Sequence, residues 1–96
     1  MNKYEFAVIV SSKLEDEDRA KTIDKVKEYV TRFGGTVTEV EEWGKRKLAY
    51  LINKEAEGYY VLFEFESTAE FPAELDRKFR INEDVIRSMI IKKEDE

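Results

Sequence analysis

The 96-residue chain contains no cysteine and no histidine. Without cysteine it has no disulfide framework, no thiolate nucleophile and no thiolate metal ligand, which suits a reducing compartment such as the cytosol. Without histidine it lacks the commonest general base, and without both residues it lacks the commonest zinc ligands. Carboxylates, lysines and tyrosines are left as its titratable side chains, so most classes of enzyme are disfavoured.

Long hydrophobic runs are also missing. The start of the chain, MNKYEFAVIV, has an apolar run far too short to span a bilayer, and it alternates in polarity instead of following the pattern of a signal peptide. We therefore expect a soluble cytoplasmic protein that does not bind a membrane. The length suits a single domain, which we place at residues 1–93, followed by a short acidic tail at residues 94–96 that we expect to be mobile.

The first third of the chain predicts a strand and a helix. Residues 3–10 alternate with the period of a strand, and both faces are fairly apolar, so this strand is predicted to be central. One of its faces would carry Tyr4, Phe6, Val8 and Val10. Residues 14–33 repeat apolar side chains at spacings of three and four, which is typical of a helix that ends at Gly34 as a left-handed cap. The predicted buried stripe is Ala20, Ile23, Val26, Val30 and Phe33.

Four consecutive acids, residues 15–18, fall in the first turn of this predicted helix. Negative charge at that position interacts favourably with the helix dipole. A divalent-metal site is the alternative interpretation, but no glycine-bearing calcium loop accompanies the run. We therefore expect neither a metal site nor a cofactor.

The rest of the chain predicts a hairpin of two strands, then a helix and a last strand. Val37 and Val40 are out of phase with strict alternation, so a bulge or a strong twist is expected before Gly44. After Gly44, Leu48, Tyr50 and Ile52 share a face. A loop at residues 53–58 would lead into a strand whose core-facing residues are Tyr59, Val61, Phe63 and Phe65. The second helix would follow Thr68, with Pro72 in its first turn and Leu75 against Phe79, and the last strand would cover residues 85–92.

The order strand, helix, strand, strand, helix, strand is that of the ferredoxin-like or split βαβ fold, an α+β sandwich. Right-handed crossovers give a four-stranded antiparallel sheet in the order 4-1-3-2, with both helices on one face. The second and fourth strands are then edges, and the other face of the sheet is uncovered. A contiguous apolar patch on such a face is typical of a binding site for a partner protein. The residues that we place on it are Ala7, Ile9, Tyr60, Leu62, Met89 and Ile91.

One stretch is strongly basic although the chain has a formal net charge of -5. WGKRKLAYLINK, residues 43–54, contains four cations and no acid, and it directly follows a segment with three glutamates. The four cations are Lys45, Arg46, Lys47 and Lys54, and we expect them to project from one rim of the edge hairpin. They could protect an exposed strand edge against aggregation, or they could contact phosphates. The separation of acids from bases along this strand favours the second interpretation, contact with phosphates.

An RNA contact at this position would use the rim and loops instead of stacking bases on the sheet. Small RNA-binding domains display aromatic rings on their two central strands, whereas here those strands offer Ala7, Ile9, and Tyr60 near Glu64 and Glu66, whose charges repel RNA. Three or four phosphate contacts imply an affinity loss on the order of forty- to a hundred-fold between about 50 and 200 mM salt. So small a contact predicts a second, basic protein that docks on the uncovered face and binds RNA jointly.

Several segments resemble the bacterial small-subunit ribosomal protein S-six (bS6) family: KYEFAVIV, the GG pair after the first helix, GKRKLAYLI followed by EGYYVLFEF, and FRINEDVIRSMIIKK. The resemblance covers the whole chain, and the central block is its specific signal. It implies a ferredoxin-like structural protein of the small (30S) ribosomal subunit without catalytic activity. It also implies cooperative binding to the central domain of 16S ribosomal RNA together with the basic ribosomal protein S-eighteen.

The resemblance assigns RNA contacts to Arg46 and Lys47 in the central block and to Arg80, Arg87 and Lys92 in the final motif. Charge and position add three more residues, which are Lys3, Lys45 and Lys54. Asn2 stands where the family often has a second basic residue. Arg80 has a second candidate role, because cations near the end of a helix also offset its dipole.

Two other functions are known for folds of this kind. A small phosphatase resembling the acylphosphatases would need an arginine and open backbone amides after the first strand, whereas SSKLEDED supplies Lys13 and then four acids. A regulatory or protein-interaction module would not bind RNA and would form a stable homodimer through its sheet. We expect the isolated protein to be a monomer.

Overall fold

The computed structural model describes residues 2–52, 54–82 and 84–93. Its elements follow the predicted βαββαβ order. They are β1 (Asn2–Ser11), α1 (Asp16–Arg32), β2 (Thr36–Ile52), β3 (Glu55–Ser67), α2 (Phe71–Arg80) and β4 (Val85–Lys93). The acidic tail that we placed at residues 94–96 lies outside the described residues.

The four strands form one antiparallel sheet in the order β2-β3-β1-β4, which is the predicted order read from the opposite edge. The central strands β1 and β3 pair over the whole length of β1, from Asn2 opposite Ser67 to Ser11 opposite Gly58. β2 and β4 are the edges, as predicted. Both helices pack against one face of the sheet, and we call the other face the open face.

The core lies between the sheet and the helices and follows the predicted alternation in the central strands. Phe6 of β1 is fully buried, and its ring centroid lies 6.2 Å from those of Phe63 and Phe79. Burial of each large apolar side chain stabilises the fold by about 1.5–3 kcal/mol. The other fully or nearly buried residues of this layer include Tyr4, Val8, Val10, Ile23, Val26, Val30, Val61, Phe65, Phe71 and Leu75. The sheet is therefore a firm support for whatever binds its open face.

Helix α1 is shorter than predicted, because it begins two residues later and ends one residue earlier. Three of the five predicted stripe residues are buried, but the prediction is wrong for Ala20 and Phe33, which are exposed. Thr22 is buried instead of Ala20, since its hydroxyl donates to the Asp18 carbonyl at 3.1 Å and so remains hydrogen-bonded. Phe33 lies past the last helical turn, where the helical spacing no longer applies.

The ends of both helices follow the signals in the sequence. Gly34 has a φ of +86°, the left-handed conformation predicted for a cap after α1. Acids at residues 16–18 occupy the first turn of α1. Pro72 lies in the first turn of α2, and Leu75 and Phe79 are buried as predicted.

β2 and β3 form a long hairpin, and shifts in its strand register determine where the basic stretch lies. The bulge predicted before Gly44 is confirmed, because the register shifts between Glu42 and Gly44 and the φ of Gly44 is +83°. The loop predicted at residues 53–58 is wrong, since β3 already begins at Glu55. Lys54 lies in the turn with a φ of +66°. Alternation did not predict the early start of β3, because Glu55 is polar and was therefore expected in a loop. In the structure Glu55 is buried, and its carboxylate is hydrogen-bonded.

Candidate RNA-binding hairpin and partner face

The far end of the β2–β3 hairpin extends beyond the pairing of β3 with β1. We call the segment from Lys47 to Glu57 the hairpin tip. Lys47 lies opposite Glu57 and Ile52 opposite Glu55, so four intervening residues of β2 face one residue of β3. A strand with this excess of residues bends away from its partner. The tip is therefore positioned by side-chain contacts more than by strand pairing.

All four cations of the basic stretch are exposed on this hairpin. They do not share one rim as predicted, because alternation places Lys45 and Lys47 on the helix side of β2 and Arg46 on the open face. Lys54 lies in the turn. The Lys45 ammonium is 3.8 Å from the Glu57 carboxylate, and an exposed pair of this kind contributes only about 0–1 kcal/mol. Lys45 can therefore exchange this contact for a phosphate.

Two exposed aromatic residues accompany these cations. Trp43 is 51% exposed, and its indole nitrogen donates to the Glu41 carboxylate at 3.1 Å. Its carbonyl accepts a hydrogen bond from the Arg46 guanidinium at 3.3 Å. Tyr50 in the hairpin tip is 61% exposed. The hairpin thus presents positive charge together with ring faces on which unpaired bases can stack.

Two further predicted cations lie near the hairpin tip. Arg87 lies on the open face of β4, and its guanidinium donates a hydrogen bond to the Tyr50 hydroxyl. Arg80, at the end of α2, forms an ion pair with Asp76. Arg80 and Arg87 line the same shallow groove, which lies beside the first residues of β4. Both side chains are exposed and can reach a ligand at this end of the molecule.

The remaining two predicted cations, Lys3 and Lys92, lie at the opposite end of the sheet. Lys3 is opposite Glu66 on the open face, whereas Lys92 is opposite Tyr4 and so lies on the helix side. From Lys3 to Ser11, β1 extends about 26 Å at the usual rise of a strand. The structure therefore brings six of the eight predicted RNA-binding residues to one end and separates Lys3 and Lys92 from them.

The apolar residues predicted for the partner face lie on the open face. Strand register places all six there, and they are Ala7, Ile9, Tyr60, Leu62, Met89 and Ile91. Met89 and Ile91 are 48% and 49% exposed, so β4 presents the most accessible part of this apolar surface.

The open face is not uncovered throughout, and the prediction is wrong at Ile9, which is only 9% exposed. The hairpin tip bends over this end of the face. Its residues Leu48, Tyr50 and Ile52 line a cavity of about 200 Å³ together with Ala7, Ile9, Tyr60 and Met89. Pockets for small molecules are typically about 300–1,000 Å³, so this cavity fits a single apolar side chain better. Alternation identified the face but could not predict the bend.

The other end of the open face carries an ionic network. The Lys93 ammonium contacts Glu64 and lies 3.6 Å from the Glu5 carboxylate. Glu39 is directly opposite Glu64, and a hydrogen bond between the two carboxyl groups lowers the pKa of Glu64 and raises that of Glu39. The hydrogen bond from Lys93 lowers the pKa of Glu64 further, and the same contact raises the pKa of Lys93. Acids outnumber cations here, so this end suits a basic ligand.

Glu55 is a candidate that sequence reasoning missed. Its side chain is buried, and its carboxylate accepts hydrogen bonds from Ser11 and Ser12. The pair of serines at the end of β1 was the available signal, because small hydroxyls can satisfy a buried acid. Ser11 and Glu55 are 44 residues apart in the sequence, however, so local periodicity could not show that they are in contact.

Within residues 2–52, 54–82 and 84–93, no group of three or more aspartates, glutamates or other metal-binding side chains could hold an ion. Over the same ranges, neither helix has the length and hydropathy needed to cross a membrane.

Comparison with known proteins identifies the family. Residues 3–92 match the family model described as Ribosomal protein S6. The small ribosomal subunit protein bS6 of Clostridium acetobutylicum is 50% identical over 91 residues, or 95% of this chain and 96% of that protein. Its counterpart in Clostridium botulinum strain 657 is 48% identical over 94 residues, or 98% of this chain and 100% of that protein. The crystal structure of 30S ribosomal protein S6 from Thermotoga maritima has a TM-score of 0.91 and 28% identity, and the match covers 96% of this chain and 87% of that one.

These matches extend over almost the whole chain, and they agree with the βαββαβ order and the four-stranded sheet described above. The family is structural in role, binding of ribosomal RNA is typical of it, and its members work in the ribosome of the cytoplasm. The chain therefore belongs to the bS6 family and is a structural constituent of the small ribosomal subunit.

Proposed function

We propose that this protein binds the central domain of 16S ribosomal RNA cooperatively with ribosomal protein S-eighteen. The observation that most supports the proposal is the gathering of six exposed cations at the hairpin end, with apolar side chains and then an acid-rich ionic network farther along the open face. In this proposal the hairpin contacts RNA and the open face holds the companion protein. The role is one of assembly and requires no catalytic group.

The proposed RNA contact centres on the exposed cations at the hairpin end. These are Lys45, Arg46, Lys47, Lys54, Arg80 and Arg87. Lys3 and Lys92 are proposed as a separate outer contact, which requires RNA to extend along the sheet by about 26 Å. Phosphate contacts of this kind give affinity and orientation, whereas Trp43 and Tyr50 could add stacking on unpaired bases.

The proposed companion site is the apolar part of the open face. Met89 and Ile91 are about half exposed there, and the neighbouring cavity can accept one apolar side chain from the companion. The ionic network around Glu64 suits a basic protein. A protein with a net charge of -5 is repelled by RNA at long range, so the isolated chain should bind RNA weakly. A basic companion protein that binds the RNA jointly would offset this repulsion.

Retention of a central-domain fragment of 16S ribosomal RNA, with and without S-eighteen, tests the proposal directly. We expect weak retention by this protein alone and a gain of at least about a hundredfold in affinity when the companion is present, since linked sites raise avidity by that order. Equal retention with and without the companion would contradict cooperativity. Equilibrium sedimentation should show a monomer, whereas a stable homodimer without RNA retention would support a regulatory module instead.

A further inference from the structure

Glu55 lies where the hairpin tip meets the rest of the domain. Its Oε1 atom accepts hydrogen bonds from the Ser11 hydroxyl at 2.9 Å, the Ser12 amide at 3.0 Å and the Ser12 hydroxyl at 3.1 Å. Its Oε2 atom lies 3.0 Å from the Ser11 hydroxyl. The two serines belong to the end of β1 and the turn that follows it. One carboxylate therefore joins the first residue of β3 to the turn between β1 and α1.

The surroundings of Glu55 are unusual for a glutamate. Glu55 is 8% exposed and Ser11 is 7% exposed, and in the described part of the chain no cation lies within ion-pair distance of the Glu55 carboxylate. Burial of an unpaired carboxylate is costly unless hydrogen bonds replace the lost water. A position that served packing alone would be better filled by an apolar side chain. The arrangement is therefore better explained by a need to fix the hairpin.

Apart from the packing of Leu48, which is 8% exposed and lines the cavity on the open face, few contacts of the described residues fix the hairpin tip. Strand pairing with β1 stops at Gly58, and within the tip four residues of β2 face one residue of β3. The second side-chain tie is the hydrogen bond between Arg87 and Tyr50, and both of these residues are exposed to solvent. Exposed hydrogen bonds compete with water, so the buried contacts of Glu55 are the stronger restraint.

We propose that Glu55 is a positioning residue that fastens the hairpin tip to the turn after β1 and so holds the cations of the hairpin in the arrangement that binds RNA. This inference rests on the proposed function of the hairpin. Without the restraint the tip would sample other arrangements, and the apparent dissociation constant would rise in proportion to the loss of the binding-competent population.

Charge alone predicts the opposite effect. Glu55 is an acid inside a segment that we propose to face phosphates, so removal of its charge should strengthen RNA binding if it had no positioning role. Glu57 provides a matched control, since it lies two residues away in the same strand and carries the same charge. Its side chain is about half exposed, and within the described residues its contact is with Lys45 and not with the turn after β1.

The experiment compares Glu55→Ala with Glu57→Ala in the complex of this protein, S-eighteen and the RNA fragment. We expect Glu55→Ala to weaken RNA binding about tenfold, as when the competent population falls to about a tenth, and to leave the salt dependence unchanged because no phosphate contact is removed. Glu57→Ala should bind RNA as tightly as the unaltered protein or more tightly. Glu55→Gln should recover most of the affinity, because an amide oxygen can accept the hydrogen bonds of Ser12.

Amide hydrogen exchange in the free protein provides a readout that does not depend on RNA. Exchange at residues 48–52 should accelerate in Glu55→Ala while the central strands keep their protection. If the variant fails to fold, Ser12→Ala removes the hydroxyl contact, one of the four, from a half-buried position and keeps the contact of the backbone amide. It should give the same pattern with a smaller loss, of about threefold. Unchanged exchange at the tip, or unchanged or tighter RNA binding by the folded variants, would overturn the inference. Absence of RNA binding by the unaltered protein would instead refute the proposed function.

Discussion

At the scale of single residues, the pair formed by Glu39 and Glu64 shows how the open face tolerates like charges. The two residues lie directly opposite each other, an arrangement that is usually destabilising. Here Lys93 neutralises part of the charge, and Glu39, whose pKa is raised, can donate a hydrogen bond to Glu64 when it is protonated. The lowered pKa of Glu64 contributes stability that is present above the ordinary pKa of glutamate and is lost as the pH falls through the folded-state value. The raised pKa of Glu39 acts with the opposite sign, because stability falls as the pH rises through its titration.

Replacement of Lys93 by methionine should raise the pKa of Glu64 and so reduce the stability that Glu64 contributes above the ordinary pKa of glutamate. Carboxyl chemical shifts followed by NMR as a function of pH measure this change directly. Lys92→Met is the matched control, since Lys92 lies on the helix side and its loss should leave the titration of Glu64 in place. An unchanged titration of Glu64 in Lys93→Met would contradict the assigned ion pair.

At the scale of elements, β4 is the strand that makes the open face available to a partner. Its alternation sends Met89 and Ile91 to the open face, whereas Ile90 packs against the core on the other side. An edge strand with exposed apolar residues invites association, and charged neighbours such as Lys92 and Lys93 limit unspecific pairing. β4 therefore combines an accessible apolar surface with protection against aggregation.

The variants Met89→Glu and Ile91→Glu should prevent binding of S-eighteen, because each places a charge in an apolar contact. We expect a loss of at least about thirtyfold in pairing affinity, measured by titration calorimetry, with thermal unfolding almost unchanged as is usual for exposed positions. Ile81→Glu is a suitable control, since Ile81 is 80% exposed and follows α2, away from the proposed contact. Normal pairing by both β4 variants would place the companion elsewhere.

The elements also show which parts of the fold the sequence could predict. Phe6 and Phe63 lie at alternate positions of two strands that pair with each other without interruption, so their burial follows from local pattern. Ile9 obeys the same alternation, yet it is buried by a hairpin tip whose bend depends on unpaired residues of β2. Glu55 illustrates the other limit, because only the folded chain brings it to Ser11. Local spacing predicts faces and periods, whereas contacts between distant segments decide where a strand bends.

At the scale of the whole molecule, six of the eight predicted RNA-binding cations gather at one end of the sheet. The candidate site could be predicted in part, since the basic stretch appears as one segment in the sequence and lies on one hairpin in the structure. The list of cations alone did not show that Lys3 and Lys92 lie at the far end on different faces, which follows from their positions in the paired strands. The proposed RNA contact therefore consists of two separate groups of cations, six at the hairpin end and two at the opposite end, instead of one continuous row.

The double variant Arg46→Ala with Lys47→Ala should weaken the complex with RNA and S-eighteen and reduce the salt slope by about two phosphate contacts, since each lost contact lowers it by about one. Lys3→Ala with Lys92→Ala removes the same charge from the other end and should have a smaller effect. Affinity measured over a salt series, with melting temperatures as the control for folding, distinguishes the two groups. Equal slopes for the Arg46 and Lys47 variant and the unaltered protein would remove the hairpin from the RNA site.

Trp43 is the single tryptophan of the chain, and it lies at the bulge where the acidic part of β2 gives way to the basic part. Its indole is half exposed, so its intrinsic fluorescence can report binding at the hairpin without an added label. Covering of the hairpin by RNA would change the emission of one fluorophore at a known position. The order in which RNA and the companion protein arrive could then be followed in real time on unlabelled material.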